Sequence, residues 1–162
     1  MKLKTAFAII VITIILASVV ATTPTVYAAR YNFVLEATGQ ARDRYGNIHT
    51  VNLLLIGTGY GSPTSYLRLY VSDGIVDVEG YEICDVIGGW GLCIERYDYM
   101  YLYFRMTALY GWRATACSMR GSTGLYYGNE IYFTVYCRYM TLPTYPRTIL
   151  YNVRLTGEII LS

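Results

Sequence analysis

The side chains able to do chemistry are few: four cysteines, one histidine and 11 acidic residues in a chain of 162. Cys84, Cys93, Cys117 and Cys137 lack the Cys-x-x-Cys spacing of a zinc site, and His49 is far from them in sequence. An even number of cysteines in a small exported chain reads as disulfides, and the spacing favours Cys84–Cys93 and Cys117–Cys137. The first would close a hairpin with a Gly-Gly-Trp-Gly tip; the second would join neighbouring strands. A serine or cysteine nucleophile would need His49 as its base. His49 falls in a strand pattern, and no Gly-x-Ser-x-Gly occurs. Gly57, Gly59 and Gly61 follow a strand as phosphate-binding glycines do, but no Gly-Lys-Ser/Thr comes after them. Five of the 11 carboxylates (Asp73, Asp77, Glu79, Glu82 and Asp85) fall within 13 residues. Hard oxygens of this kind suit calcium, but the spacing matches no calcium loop, and a solvated strand face is the expected reading. Neither an enzyme nor a metal nor any other cofactor is expected.

Tyrosine carries more information. Tyr97, Tyr99, Tyr101 and Tyr103 recur at period two with Arg105 next in the series, so they share one face of a strand. Tyr132 and Tyr136 repeat the theme further on, with Arg138 beyond them. If the two strands are neighbours, these residues form one contact face of rings with polar tips, suited to half-wet surfaces. The rings would serve as stacked cross-strand packing, as a protein–protein face or as a platform for sugars.

Strands must position these residues. Residues 31–38, 48–56, 66–71, 75–81, 97–108, 113–119, 131–138 and 149–161 alternate apolar and polar side chains. Turns are expected at residues 42–47, 57–63, 72–74, 120–124 and near Pro143 and Pro146, and the Gly-Gly-Trp-Gly segment reads as a hairpin. No segment of helical length after residue 28 carries a persuasive 3.6 period. The fold class is all-β, an antiparallel β-sandwich or barrel of about 8–9 strands following an N-terminal signal helix.

The chain opens Met-Lys-Leu-Lys, runs apolar from Ala6 to Ala21, and reaches Val26-Tyr27-Ala28. This is the pattern of a secretory leader, so residues 1–28 are expected as a signal peptide and 29–162 as a single β domain. An uncleaved leader would instead anchor the chain, its only expected membrane contact. Two of the 13 basic residues, Lys2 and Lys4, lie in the leader, leaving 11 arginines against 11 acidic residues. That balance gives no footprint for nucleic acid.

The expected role is an exported cell-surface or secreted structural or adhesive β-domain, working through self-association or other surface proteins. Strand addition by Tyr31–Thr38 to the sheet edge of another copy is one route. The alternative is an extracellular module binding carbohydrate or a small ligand on the tyrosine face. Intact mass of the exported protein is expected to show loss of residues 1–28; retention of the leader would overturn the signal-peptide reading.

Overall fold

The computed structural model describes residues 28–96, 99–127, 129–144 and 147–162. The expected signal helix lies outside these residues. The described chain forms eight strands in one closed antiparallel barrel, each strand paired with its neighbours in sequence and β8 returning to β1. The strands are β1 (Arg30–Arg42), β2 (Ile48–Ser62), β3 (Tyr66–Val78), β4 (Tyr81–Arg96), β5 (Tyr99–Tyr110), β6 (Arg113–Tyr127), β7 (Glu130–Leu142) and β8 (Thr148–Leu161). The sandwich alternative is thereby set aside.

Period-two alternation decides which side chains go inside. Phe33, Leu35 and Ala37 of β1, Leu53 and Leu55 of β2, Leu67 and Leu69 of β3, Leu102, Phe104 and Met106 of β5, and Phe133 and Val135 of β7 are all buried. An eight-stranded barrel has an interior just wide enough for side chains to fill. Here the filling is apolar and the described charged side chains project outward, the reverse of a membrane-spanning barrel with a polar lumen.

Several expected turns are instead continuous strand. β2 runs through Gly57 and Gly59, β3 through Ser72-Asp73-Gly74, β4 through Gly88-Gly89-Trp90-Gly91, and β6 through Arg120–Gly124. At Gly57, Gly74, Gly89, Gly91 and Gly121 the glycine is there for space. A Cβ on Gly57 would lie 1.9 Å from the Tyr70 carbonyl oxygen and 2.7 Å from the Phe33 ring. Three of these sites are bulges: the register slips at Ser72 of β3, at Ile87 of β4 and at Gly124 of β6. A bulge adds twist, which a closing sheet needs.

The tight turns lie elsewhere. Glu79 and Gly80 both take positive φ, 56° and 82°, as a two-residue type I′ hairpin requires. Between β1 and β2, Asp43 Oδ1 accepts the backbone N–H groups of Tyr45 (2.8 Å) and Asn47 (2.9 Å), and Oδ2 accepts Asn47 Nδ2 at 2.9 Å.

Strand β1 has β2 on one side and β8 on the other. Tyr31–Thr38 therefore spends its edges inside its own barrel. One seam is short: β6 pairs with β7 only from Arg120↔Tyr136 to Tyr127↔Glu130. The segment Arg113–Met119 is held by β5 and Cys137–Leu142 by β8.

Leu55→Ala should cost about 2–5 kcal/mol of stability, because a fully buried leucine at the barrel centre leaves a cavity when truncated. The shift of the denaturant midpoint checks this, and a change below ~1 kcal/mol would show that the interior is not packed as described.

Candidate functional site

The register joins outward side chains into rows that cross the strands. Tyr60 of β2 faces Arg68 of β3, which faces Leu92 of β4, then Tyr103 of β5, Arg120 of β6, Tyr136 of β7 and Arg154 of β8. Arg154 faces Gln40, and Gln40 faces Thr50. The row enters β2 at Tyr60 and returns to it at Thr50, ten residues earlier, so it climbs the wall as a spiral. It alternates arginine with aromatic rings over much of its length and carries no carboxylate.

Contacts along this wall are ring on ring and cation on ring. Arg68 donates through Nη2 to Tyr66 Oη at 3.1 Å and through Nη1 to Tyr70 Oη at 3.4 Å. Tyr60 and Tyr70 meet edge to face at 5.7 Å, and Trp90 tilts against Tyr103 at 5.2 Å. The Arg120 guanidinium lies 6.0 Å from the centre of the Tyr103 ring. Trp90 and Tyr70 each remain 42% exposed, too open for core residues. Paired rings and guanidiniums hold one another in place, so the wall is ordered before any partner arrives.

A different row is acidic. Asp85 faces Ile75, Ile75 faces Leu54, Leu54 faces Glu36, Glu36 faces Glu158, and Glu158 faces Tyr132. It lies in an open groove of about 580 Å³ on the outside of the barrel, lined by Glu36, Glu158, Asp77, Asn52 and Tyr132 among others. Thr38 Oγ1 donates to Asn52 Oδ1 at 2.7 Å, and Asn52 Nδ2 donates to Asp77 Oδ1 at 2.9 Å. Tyr132 donates its hydroxyl to Glu130 Oε2 at 2.7 Å. That bond, together with the Glu130 and Glu158 charges, pushes the phenol up to about 12.

A second concavity, about 530 Å³, sits at the barrel end bearing the β1–β2 and β7–β8 connections. Val78, Ile83, Leu142 and Leu150 supply its apolar lining; Asp43, His49 and Arg147 supply polar groups. His49 Nε2 lies 3.2 Å from Asp43 Oδ2, and Nδ1 lies 3.7 Å from Glu79 Oε1. The strand residue His49 is thus tied to two turns. Partial desolvation pushes the Asp43 carboxyl up, but bonds from Asn47, His49 and Tyr45 outweigh it and hold it down to about 2.

The cysteines correct the sequence reading. All four are unbonded and buried. Cys84 and Cys93 lie on the same strand, so the expected bridge is excluded: nine residues of strand span roughly 30 Å, against a disulfide limit of about 7 Å between Cα atoms. Burial pushes both thiols up to about 12, with the Asp85 and Glu82 charges adding to it at Cys84. Cys117 and Cys137 do meet, across the short seam, with 3.8 Å between sulfurs as thiols. Cys137 also donates to the Tyr139 carbonyl oxygen at 2.7 Å.

Of the expected contact face, Tyr101 and Tyr103 are half-buried, and Arg105, Tyr132 and Tyr136 are exposed. Tyr97 and the Tyr99 side chain lie outside the described residues. β5 and β7 are not neighbours, because β6 runs between them. Arg120 of β6 bridges the gap, facing Tyr103 on one side and Tyr136 on the other. Tyr132 belongs to the acidic groove instead. Tyr66, Arg68 and Tyr70 were legible as outward because Leu67 and Leu69 between them point inward. The pairing of Glu36 with Glu158 was not, since only ring closure brings them together. Comparison with known protein families, with curated proteins and with solved structures finds no match.

Asp43 should make stability acid-sensitive in a narrow window. Its folded value lies below the ordinary 3.8, so its contribution is fully present above that pH and is lost as pH falls through about 2. Asp43→Asn should lower the melting temperature near neutrality and flatten its fall between pH 4 and pH 2. Parallel melting curves for the two proteins over that interval would refute the assignment.

Proposed function

We propose that this chain is an exported structural component of the cell exterior, and that the arginine–aromatic wall of the barrel is its contact surface. The observation that carries this reading is the outer row Arg68, Tyr103, Arg120 and Tyr136 with Trp90 and Tyr70 beside it. Tyr, Trp and Arg are the residues that anchor protein interfaces. Pre-ordered rings lose little conformational freedom on docking. The barrel serves as a rigid support: its core is apolar, and the two concavities described above lie on its outside and at its end.

The contact is made by side chains rather than by strand addition, since β1 already has a partner on each side. Sugars stacking on Trp90 and Tyr103 are the competing use of the same rings.

The test is retention at the cell surface. In producing cells, wild-type protein should fractionate with the envelope, while Arg68→Glu combined with Trp90→Ala, melting like wild type, should be released to the medium. Equal retention of both would overturn the reading. Binding of the wild-type protein to a glycan array, lost on Trp90→Ala, would move the function to carbohydrate recognition.

A further inference from the structure

We infer that the partner of the wall is a second copy of this chain, whose Glu36–Glu158 groove receives Arg68 and Arg120; this rests on the contact-surface reading above. Charge is sorted by sign on the barrel exterior. The rows through Arg68 and Arg105 contain no carboxylate, and the row through Glu36 contains no arginine. Among the described residues the ion pairs within 4.0 Å involve His49, and none joins Arg68, Arg105 or Arg120 to a described carboxylate.

The groove brings two carboxylates together. Glu36 and Glu158 are directly opposite on adjacent antiparallel strands. Like charges in that relation destabilise a sheet unless a cation comes between them. A guanidinium from outside supplies that cation with a planar fork matched to carboxylates.

The two surfaces face different ways. The groove runs from β7 to β3 and centres on β1, while the wall from β3 to β6 centres between β4 and β5, a little under half a turn away round the ring of eight, with β3 contributing to both. A contact between two different faces is heterologous, and faces on opposite sides extend it into an open row of copies instead of closing a dimer. With 11 arginines balancing 11 acidic residues after the leader, no net charge opposes stacking like with like.

The experiment uses residues 29–162, followed by sedimentation velocity across protein concentration. Wild type should form concentration-dependent oligomers at about 0.05 M salt and dissociate at about 1 M, where screening shortens to about 3 Å. A groove variant (Glu36→Lys with Glu158→Lys) and a wall variant (Arg68→Glu with Arg120→Glu) should each associate roughly a hundredfold more weakly. Mixed one to one, they should associate again, because each retains the face the other needs. Wild type that stays monomeric at millimolar concentration and low salt would overturn the inference. So would a mixture that fails to regain association while both variants melt like wild type. In either case the envelope-retention assay still reports on the wall alone, so loss of the self-contact and loss of the contact-surface reading are told apart.

Discussion

Closure of the ring is the constraint on which everything else depends. Once β8 pairs with β1, the lumen is a fixed volume, and only one side chain in two can enter it. Those positions are committed to Leu, Val, Phe, Met, Ile, Ala, thiol and, where space is short, Gly. Variety is left to the outer face and the two ends. The ten-residue stagger then decides which outer side chains meet, and it does so with no regard for their separation in sequence. Glu36 and Glu158 are neighbours for this reason alone.

The alternation that fills the lumen is written plainly in the chain, so the inward faces of β1, β2, β3, β5 and β7 were legible residue by residue. Glycine misled the reading because it serves two purposes. At Gly46, Gly80 and Gly111 it supplies the positive φ of a turn. At Gly57, Gly89 and Gly121 it supplies room where a Cβ would strike a neighbouring strand's carbonyl within 2.4 Å. Local sequence does not separate the two uses, which is why four strands were cut short and the β3–β4 turn at Glu79-Gly80 was missed. The outward tyrosines were legible as a stripe. Their partners were not, since Arg120 becomes a bridge only when β6 is known to lie between β5 and β7.

The thiols follow the same logic of filling. Cys84, Cys93, Cys117 and Cys137 all occupy inward positions, where a thiol behaves as a small apolar group. The reading of a disulfide framework rested on an even count in a small exported chain; the closed barrel of eight long strands instead takes all four thiols into its apolar filling. The Cys117–Cys137 contact sits where the β6–β7 ladder stops, so the two sulfurs pack the part of the seam that backbone bonding leaves open.

Sorting charge by sign would be a poor way to stabilise a monomer, but it costs a monomer little. An exposed ion pair contributes only about 0–1 kcal/mol, so leaving Arg68 and Glu158 without an ion pair among the described residues forfeits little. The same charges brought together across an interface lose water and are worth more, because removing solvent strengthens their attraction and matched signs fix the register. Every basic residue after Lys4 is arginine. Lysine would serve solubility as well, but only the guanidinium both stacks on a tyrosine ring and forks onto a carboxylate. An exterior of ordered rings, arginines without lysine and carboxylates held apart from them is better suited to meeting another surface than to facing water.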